Sequence, residues 1–345
     1  MKGNHSIRAF MFFTLSTLSA CLTLCCCGQS GTTVETPPTA TVSGSSTSND
    51  STDESSSDNA HTNESNAITS TETDQPGERD STPTLRIGSA DGAVCYGNEI
   101  VTIDASHTSE GYVAVNYKGN NPKVKLQLTG TDDITYTYNL HGGNEFFPLT
   151  SGSGTYAFGV YENIEGTTYS TLFTQSIEVT INNEYGPFLY ANQYVNYENA
   201  IATIEKGCEL AYSADTDLEV VENVYNYIIS TFTYDYDKAA TVKSGYLPVV
   251  DQVFNDNTGI CFDYAAVMAT MLRSQNIPTR LEVGYIDNVY HAWISTYIED
   301  MGWINGIIKF DGSDWTLMDP TFASTSSSPK DFLASEDSYL TKYIY

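Results

Sequence analysis

The chain has 345 residues, which leaves room for two ordinary domains and additional segments. Its 43 acidic residues outnumber 15 lysines and arginines and give a formal net charge of -28. Because phosphate backbones and anionic lipid head groups bind to basic surfaces, this charge argues against nucleic acid and anionic head groups as direct partners.

The N-terminal segment has the pattern of an export signal. Lys2 and Arg8 precede the apolar run AFMFFTLSTLSACLTLCCC, and a basic start ahead of a short apolar run predicts export. The run is on the short side for a stable membrane-spanning helix.

The cysteines of this segment suggest a lipid anchor. The word LSAC, which ends at Cys21, resembles the lipobox of bacterial lipoproteins, where a small residue such as Ala20 precedes the lipidated cysteine. Cys27 is a competing candidate because polar sequence follows it directly, although Cys26 fits the preceding position less well. We therefore expect a lipoprotein signal peptide over residues 1–27 and an anchor on the outer face of a bacterial cell membrane. An ordinary cleaved signal is the alternative.

Residues 28–83 predict a disordered tether. They consist mainly of Ser, Thr, Asp, Glu and Asn, with almost no large apolar residue. Such a segment cannot bury enough surface to offset the entropy lost on ordering. As a flexible coil it would span about 40 Å and hold the folded part away from a membrane.

Residues 84–190 predict a small all-β sandwich domain. Short runs rich in Val, Ile, Thr and Tyr alternate with turn signals, and no helical segment lies between them. The predicted strands are EIVTID, YVAVNY, KVKLQL, ITYTYNL, TYAFGVYEN and YSTLFTQSIEVTI. His107 and His141 lie in loop-like words, and we assign neither a role.

Residues 191–345 change to a helical period and then to strands. Apolar side chains recur at helical spacing from Ile201 to Ala211 and again from Leu218 to Ile229. The word FTYDYDKAA reads as a loop, and a third helix begins at Cys261 and ends before Pro278. The strands predicted after it are TRLEVGYI, YHAWISTYI, NGIIKF and DWTLMD. Helices ahead of strands indicate an α+β layout.

Cys261 stands where a thiol becomes reactive. At the first turn of a helix it lies near unpaired backbone N–H groups and the positive end of the helix dipole, and both favour the thiolate. A nucleophile also needs a base within reach, and His291 is the one histidine that follows His141. Asp319, at the end of a predicted strand, could orient that imidazole.

Each of these residues also has a structural interpretation. Cys261 could be a small buried apolar residue or the partner of Cys208 in a disulfide, although pairing of Cys95 with Cys208 would leave it free. His291 could be a satisfied core histidine, and Asp319 could be only a turn residue. Asp311 competes with Asp319 for the third position.

The words around these residues resemble the transglutaminase-like superfamily of cysteine enzymes. The word TGICFDYAAVMATMLRSQNIPTRLEVGY is followed by YHAWIS and then by WTLMDPTF, in the order and at the spacing of that family. The resemblance covers residues 199–322, and three separated motifs in order make it specific. It implies a papain-like transglutaminase core over 191–345, preceded by the β-sandwich and the tether.

By position, the resemblance assigns Cys261 as nucleophile, His291 as general base and acid, and Asp319 as the orienting group. It leaves the oxyanion donor open between Tyr234 and Tyr236, either of which could act with the backbone N–H of Cys261. Three neighbouring residues are expected to cap or pack rather than react: Asp263, Tyr264 and Trp293.

The implied reaction is acyl transfer through a thioester, with an amine or water as acceptor. We therefore expect a cell-surface transferase acting on a protein or peptide, without a cofactor or a metal site. A cysteine peptidase or amidase acting on cell-surface protein or cell-wall peptide is the first alternative. A non-catalytic wall-associated binding protein is the second, although the intact set of three residues argues against it.

Overall fold

A computed structural model describes residues 75–286, 289–305, 307–310, 315–318 and 339–345. An eight-stranded β-sandwich is followed by five helices and a second region of β-structure, so the α+β prediction is confirmed. The described residues belong to one compact unit. No helix among them is long and apolar enough to cross a bilayer.

The sandwich contains two antiparallel four-stranded sheets. The first has the order β1-β2-β3-β6, formed by β1 (Cys95–Gly97), β2 (Val101–Asp104), β3 (Tyr112–Tyr117) and β6 (Gly143–Pro148). The second has the order β5-β4-β7-β8, formed by β4 (Val124–Thr129), β5 (Thr135–Leu140), β7 (Gly154–Glu165) and β8 (Thr168–Val179).

Period-two alternation in the sequence becomes the inner face of these sheets. On β4, Val124, Leu126 and Leu128 are buried, whereas Lys125 and Gln127 between them are not. Successive side chains of a strand point to opposite faces, so one apolar set fills the core. All six predicted strands are confirmed in this region.

Two strands of the sandwich were not predicted. The word LHGGNE was interpreted as a loop, but β6 begins at Gly143 and pairs with β3 along its whole length. Phe147 of β6 is fully buried in the core. The prediction failed because paired glycines usually mark a turn, whereas Gly142 and Gly143 turn the chain and start the strand, both with positive φ.

Within the described ranges, five α-helices follow the sandwich: α1 (Ile201–Ala211), α2 (Asp217–Thr231), α3 (Tyr236–Thr241), α4 (Val250–Asp256) and α5 (Cys261–Ser274). The sequence predicted α1, α2 and α5. The loop interpretation of FTYDYDKAA was wrong over α3, and α4 was not predicted. Both helices have seven residues or fewer, too short to display a clear helical period.

Helix α5 is the centre of the C-terminal region. Every residue from Asp263 to Ser274 is buried. A helix can be buried on all sides when most of its side chains are apolar, as they are in α5. It packs against α1, α2, α4 and a sheet of four antiparallel strands. Gly207 of α1 allows the closest approach, because a Cβ there would lie 3.2 Å from the backbone of Met271.

The sheet has the order β13-β12-β11-β16, formed by β11 (Thr279–Ile286), β12 (Val289–Ile298), β13 (Gly302–Asn305) and β16 (Tyr339–Ile344). A separate antiparallel pair is formed by β14 (Ile307–Phe310) and β15 (Trp315–Met318). The four predicted strands are confirmed, whereas β13 and β16 were not predicted. Strand β16 is established by its pairing with Glu282 to Ile286 of β11.

The sandwich packs directly onto the C-terminal region. The ring of Tyr345 lies 5.6 Å from that of Tyr136 and 6.0 Å from that of Tyr138, both on β5. The side chain of Gln193 donates to the carbonyl of Asn139 at 2.8 Å. Strand β5 of the sandwich therefore contacts the C-terminal region directly.

The end of the predicted tether runs along the helices. The backbone N–H of Gly77 donates to Tyr212 at 2.8 Å, and that of Thr84 donates to Ser274 at 2.7 Å. Arg79 pairs with Asp217 at 2.6 Å. Residues 1–74, which include the predicted signal peptide, Cys21, Cys27 and most of the tether, lie outside the described residues.

Candidate active site

Cys261 is the first residue of α5, and a short parallel β-bridge holds the turn before it. This bridge pairs β10 (Thr258–Gly259) with β9 (Thr233–Tyr234). The N–H of Asp235 donates to the carbonyl of Gly259 at 2.9 Å. The bridge therefore brings Tyr234, a predicted oxyanion candidate, beside the turn that leads into Cys261.

Asp263 caps the helix that Cys261 begins, as predicted. Its Oδ2 accepts a hydrogen bond from the backbone N–H of Ile260 at 2.9 Å, and its side chain is fully buried. Gly259 is required by this close packing, because a Cβ there would lie 2.6 Å from the Cβ of Asp263. The word TGICFD thus encodes one compact turn, which sets where the thiol emerges.

Two further side chains satisfy the buried Asp263 carboxylate. The hydroxyl of Tyr246 donates to Oδ1 at 2.6 Å, and Lys238 Nζ lies 2.6 Å from Oδ2. Lys238 also donates to the Tyr246 hydroxyl at 2.8 Å. Burial, followed by the hydrogen bond to Asp263, raises the pKa of Tyr246. The phenol therefore stays protonated at neutral pH and serves as a donor.

His291 lies on β12, opposite Gly284 of β11, and is 5% exposed. Gly284 is needed by the close approach of β16, because a Cβ there would lie 2.0 Å from the carbonyl oxygen of Leu340. The ring of Trp293, two residues further along β12, lies 6.4 Å from the imidazole at an interplanar angle of 19°. Trp293 therefore packs beside His291, as predicted.

A second buried carboxylate ties together the strands around His291. Glu282 of β11 is 5% exposed. It accepts hydrogen bonds from Ser295 of β12 at 2.5 Å and from Thr341 of β16 at 2.7 Å. Because Glu282 pairs with Trp293 across the sheet, this polar link lies two pairs along the ladder from the Gly284–His291 pair.

Cys261 and His291 line the same cavity, which has a volume of about 670 Å³. Tyr234 also lines it, whereas Tyr236 is 66% exposed and is not among the lining residues. The structure therefore brings three of the sequence-predicted residues into the cavity wall and leaves Tyr236 outside it, with its ring 5.0 Å from that of Tyr234. Asp319 and its competitor Asp311 lie outside the described residues.

The thiols of Cys95, Cys208 and Cys261 are all free. Neither disulfide considered from the sequence is present among these three residues. Burial is the largest cause of the raised pKa of Cys208, and burial followed by the charge of Asp104 raises that of Cys95. No cluster of metal-binding side chains occurs within the described part of the chain.

Several lining residues were not singled out from the sequence. Lys125 and Tyr138 come from the sandwich, as does His141, to which no role was assigned. Lys243 and Tyr246 come from the segment between α3 and α4. They lie from 15 to 136 positions before Cys261 in the chain, and no local motif marks them.

Replacing Lys238 with methionine should destabilise the protein by about 3 kcal/mol, because it leaves the buried Asp263 charge without its cationic partner. Lys206→Met is the matched control: Lys206 pairs with Glu209 at 2.5 Å, but Glu209 is 67% exposed. Breaking this exposed pair should cost about 1 kcal/mol or less. Urea unfolding of both variants measures the difference, and equal losses would contradict the role given to Asp263.

The sequence is similar to known proteins over part of its length. Residues 208–306 match the family model described as the transglutaminase-like superfamily. The chain is 22% identical over 151 residues to the uncharacterized protein YebA of Bacillus subtilis. This alignment covers 38% of the chain and 20% of YebA, so the chain spans about one fifth of that relative.

Solved structures show weaker similarity. A putative cysteine protease from Cytophaga hutchinsonii is 16% identical, with a TM-score of 0.34 and coverage of 73% of this chain and 74% of that one. The periplasmic domain of TgpA from Pseudomonas aeruginosa is 16% identical, with a TM-score of 0.30 and coverage of 76% and 90%. Red sea bream transglutaminase is 15% identical, with a TM-score of 0.24 and coverage of 63% and 48%.

Cys261 and His291 fall inside the matched segment, and Asp319 lies beyond it. The identified similarity is therefore a transglutaminase-like domain match that is confined to residues 208–306.

Proposed function

We propose that this protein is a cysteine acyl-transfer enzyme of the transglutaminase-like type. Cys261 would form a thioester with a carboxamide or peptide carbonyl and pass the acyl group to an amine or to water. One observation carries the proposal: a free thiol at the start of a buried helix lines the same cavity as the histidine of β12. The family match over this segment supports it.

In the proposed reaction the sulfur of Cys261 attacks the carbonyl carbon while His291 holds the thiol proton. The C–N bond then breaks, His291 protonates the leaving amine, and a thioester remains. Attack by an amine or by water, with its proton passing to His291, releases the product and restores the thiol.

The negative charge that develops on the carbonyl oxygen needs hydrogen-bond donors. We propose the backbone N–H of Cys261 and the hydroxyl of Tyr234 for this role, since Tyr234 lines the cavity and the β9–β10 bridge holds it beside the turn. Tyr236 is the weaker candidate because of its exposure. Asp319 remains the proposed orienting group for His291.

Near neutral pH, Cys261 should react with iodoacetamide at least about tenfold faster than Cys95 or Cys208, since a base, His291, lines the same cavity as this thiol. The pKa of each comparison thiol is raised, which keeps both protonated. Peptide mapping by mass spectrometry gives the three rates within one sample. His291→Ala should slow Cys261 selectively, and His107→Ala in the sandwich should not. Labelling of Cys95 as fast as Cys261 would contradict the proposal.

Transfer and hydrolysis differ in their products. A dansylated primary amine incorporated into casein would identify a transferase, whereas new peptide termini or released ammonia would identify a peptidase or amidase. We expect hydrolysis to dominate, because two lysines in the cavity wall disfavour a protonated amine as acceptor. Either activity should be abolished in Cys261→Ala. A variant that retained every product and phenotype would instead support the non-catalytic binding protein.

We also propose that the enzyme is a lipoprotein on the outer face of the bacterial membrane and acts on protein or peptide at the cell surface. The lipobox-like word before Cys21 motivates this. Cells fed an alkyne-labelled fatty acid should yield labelled protein. One of the substitutions Cys21→Ser and Cys27→Ser should remove the label while the other retains it. Labelling that persists in the double variant would exclude both sites.

A further inference from the structure

The cavity has a charge bias opposite to that of the chain. Acidic residues outnumber basic ones by 43 to 15 overall. Among the described residues that line the cavity there are two lysines, Lys125 and Lys243, and two histidines, but no aspartate or glutamate. A cleft with this bias concentrates ions of the opposite sign.

Neither lysine is neutralised by a described carboxylate. The described ion pairs of lysine are Lys206 with Glu209 and Lys238 with Asp263, and neither includes a lysine of the cavity. Lys125 Nζ instead lies 5.7 Å from the centre of the Tyr169 ring. Neither lysine of the cavity wall therefore has a carboxylate partner among the described residues.

One carboxylate that contacts residues of this wall, Glu145, is already engaged. Glu145 accepts hydrogen bonds from the backbone N–H of His141 and from the side chain of Gln193, both at 2.6 Å. It also accepts from the backbone N–H of Gly142 at 3.2 Å and lies 3.2 Å from His141 Nδ1. These partners satisfy the Glu145 carboxylate, and Glu145 itself is not among the lining residues.

The lysines come from two separate elements that are both held in place. Lys125 is on β4 of the sandwich, where it pairs with Asn139 of β5. Lys243 precedes Tyr246, whose hydroxyl is bonded to the buried Asp263. The sandwich therefore forms part of the wall of the cavity that Cys261 also lines.

Aromatic rings form much of the remaining wall. Tyr194 lies 5.3 Å from Phe262 and 4.4 Å from Tyr345, measured between ring centres, and all three line the cavity. Aromatic rings of this kind contact apolar and aromatic groups of a ligand, and the tyrosine hydroxyls can also form hydrogen bonds. The wall therefore suits a ligand that joins an apolar group to an anionic one.

We propose that the cavity selects peptide substrates with a carboxylate beside the reacting carbonyl and an adjacent apolar or aromatic side chain, and that it disfavours cationic groups. The substrate assignment rests on the proposed function; the charge selectivity does not. A protonated lysine side chain would be a poor acyl acceptor in such a cleft. Water is neutral and meets no such barrier, so hydrolysis of acidic peptides is favoured over cross-linking to lysine.

Charged thiol reagents measure this selectivity directly. The anionic sulfonatoethyl and the cationic trimethylammonioethyl methanethiosulfonates attack the same thiolate, so the ratio of their rates cancels the ionisation of Cys261. Relative to the same ratio for glutathione, the full-length protein should favour the anionic reagent by about tenfold. Mass spectrometry of the peptide that contains Cys261 gives each rate.

The double variant Lys125→Glu, Lys243→Glu should reverse the preference. Lys118→Glu, an exposed residue outside the lining, is the control and should leave the ratio near the wild-type value. The proposal would be overturned if the wild-type ratio of rates equalled that of glutathione, or if Lys118→Glu changed this ratio as much as the double variant does. Slow alkylation by iodoacetamide together with an anionic preference would instead refute only the proposed function.

A protection assay then tests the substrate class. The peptides acetyl-Glu-Tyr-Gln-Glu-amide and acetyl-Lys-Tyr-Gln-Lys-amide differ only in charge and compete with iodoacetamide for the cavity. The acidic peptide should protect Cys261 at a concentration at least about fivefold lower, because two lysines attract it. Equal protection, stronger protection by the basic peptide, or protection by neither would contradict the assignment.

Discussion

The buried carboxylate of Asp263 holds together the parts of the chain that surround Cys261. It accepts from the backbone of Ile260 before the helix, from Tyr246 of the preceding segment and from Lys238 of α3. A fully buried carboxylate is tolerated only when such partners satisfy it, so these three elements are bound to one position. The path of the chain into α5, and with it the thiol, depends on this single group.

His291 is positioned by the hydrogen bonds that join the strands of the sheet. Strands β11, β12 and β16 are joined by their backbone ladders and by Glu282, whose carboxylate bonds to Ser295 and Thr341. Gly284 lets β16 approach where a side chain would clash. Helix α5 packs against β11 and β12, so the helix start and the histidine strand form one rigid framework around the cavity. The sandwich closes part of it and contributes Lys125.

The sequence and the structure agree where a pattern is long and local. Alternation on β4 and helical spacing in α2 and α5 repeat over enough residues to identify the element. Strand β6 begins with a turn-forming glycine and helices α3 and α4 are short, so their packing partners decide their conformation. Tyr246 shows the same limit within the site, because its importance lies in contacts with Lys238 and Asp263 rather than in neighbouring sequence.

By itself the sequence determined the α+β class, the helix that begins at Cys261, the strand that carries His291 and the resemblance of that segment to the transglutaminase-like superfamily. Motifs and periodicity are properties of consecutive residues, so they can be recognised without a fold. Only the tertiary structure decided that Tyr234 rather than Tyr236 lines the cavity, that the three thiols are unpaired and that a lysine of the sandwich lies in the wall. Those facts depend on distances between residues far apart in the chain, which leave no periodic trace in the sequence.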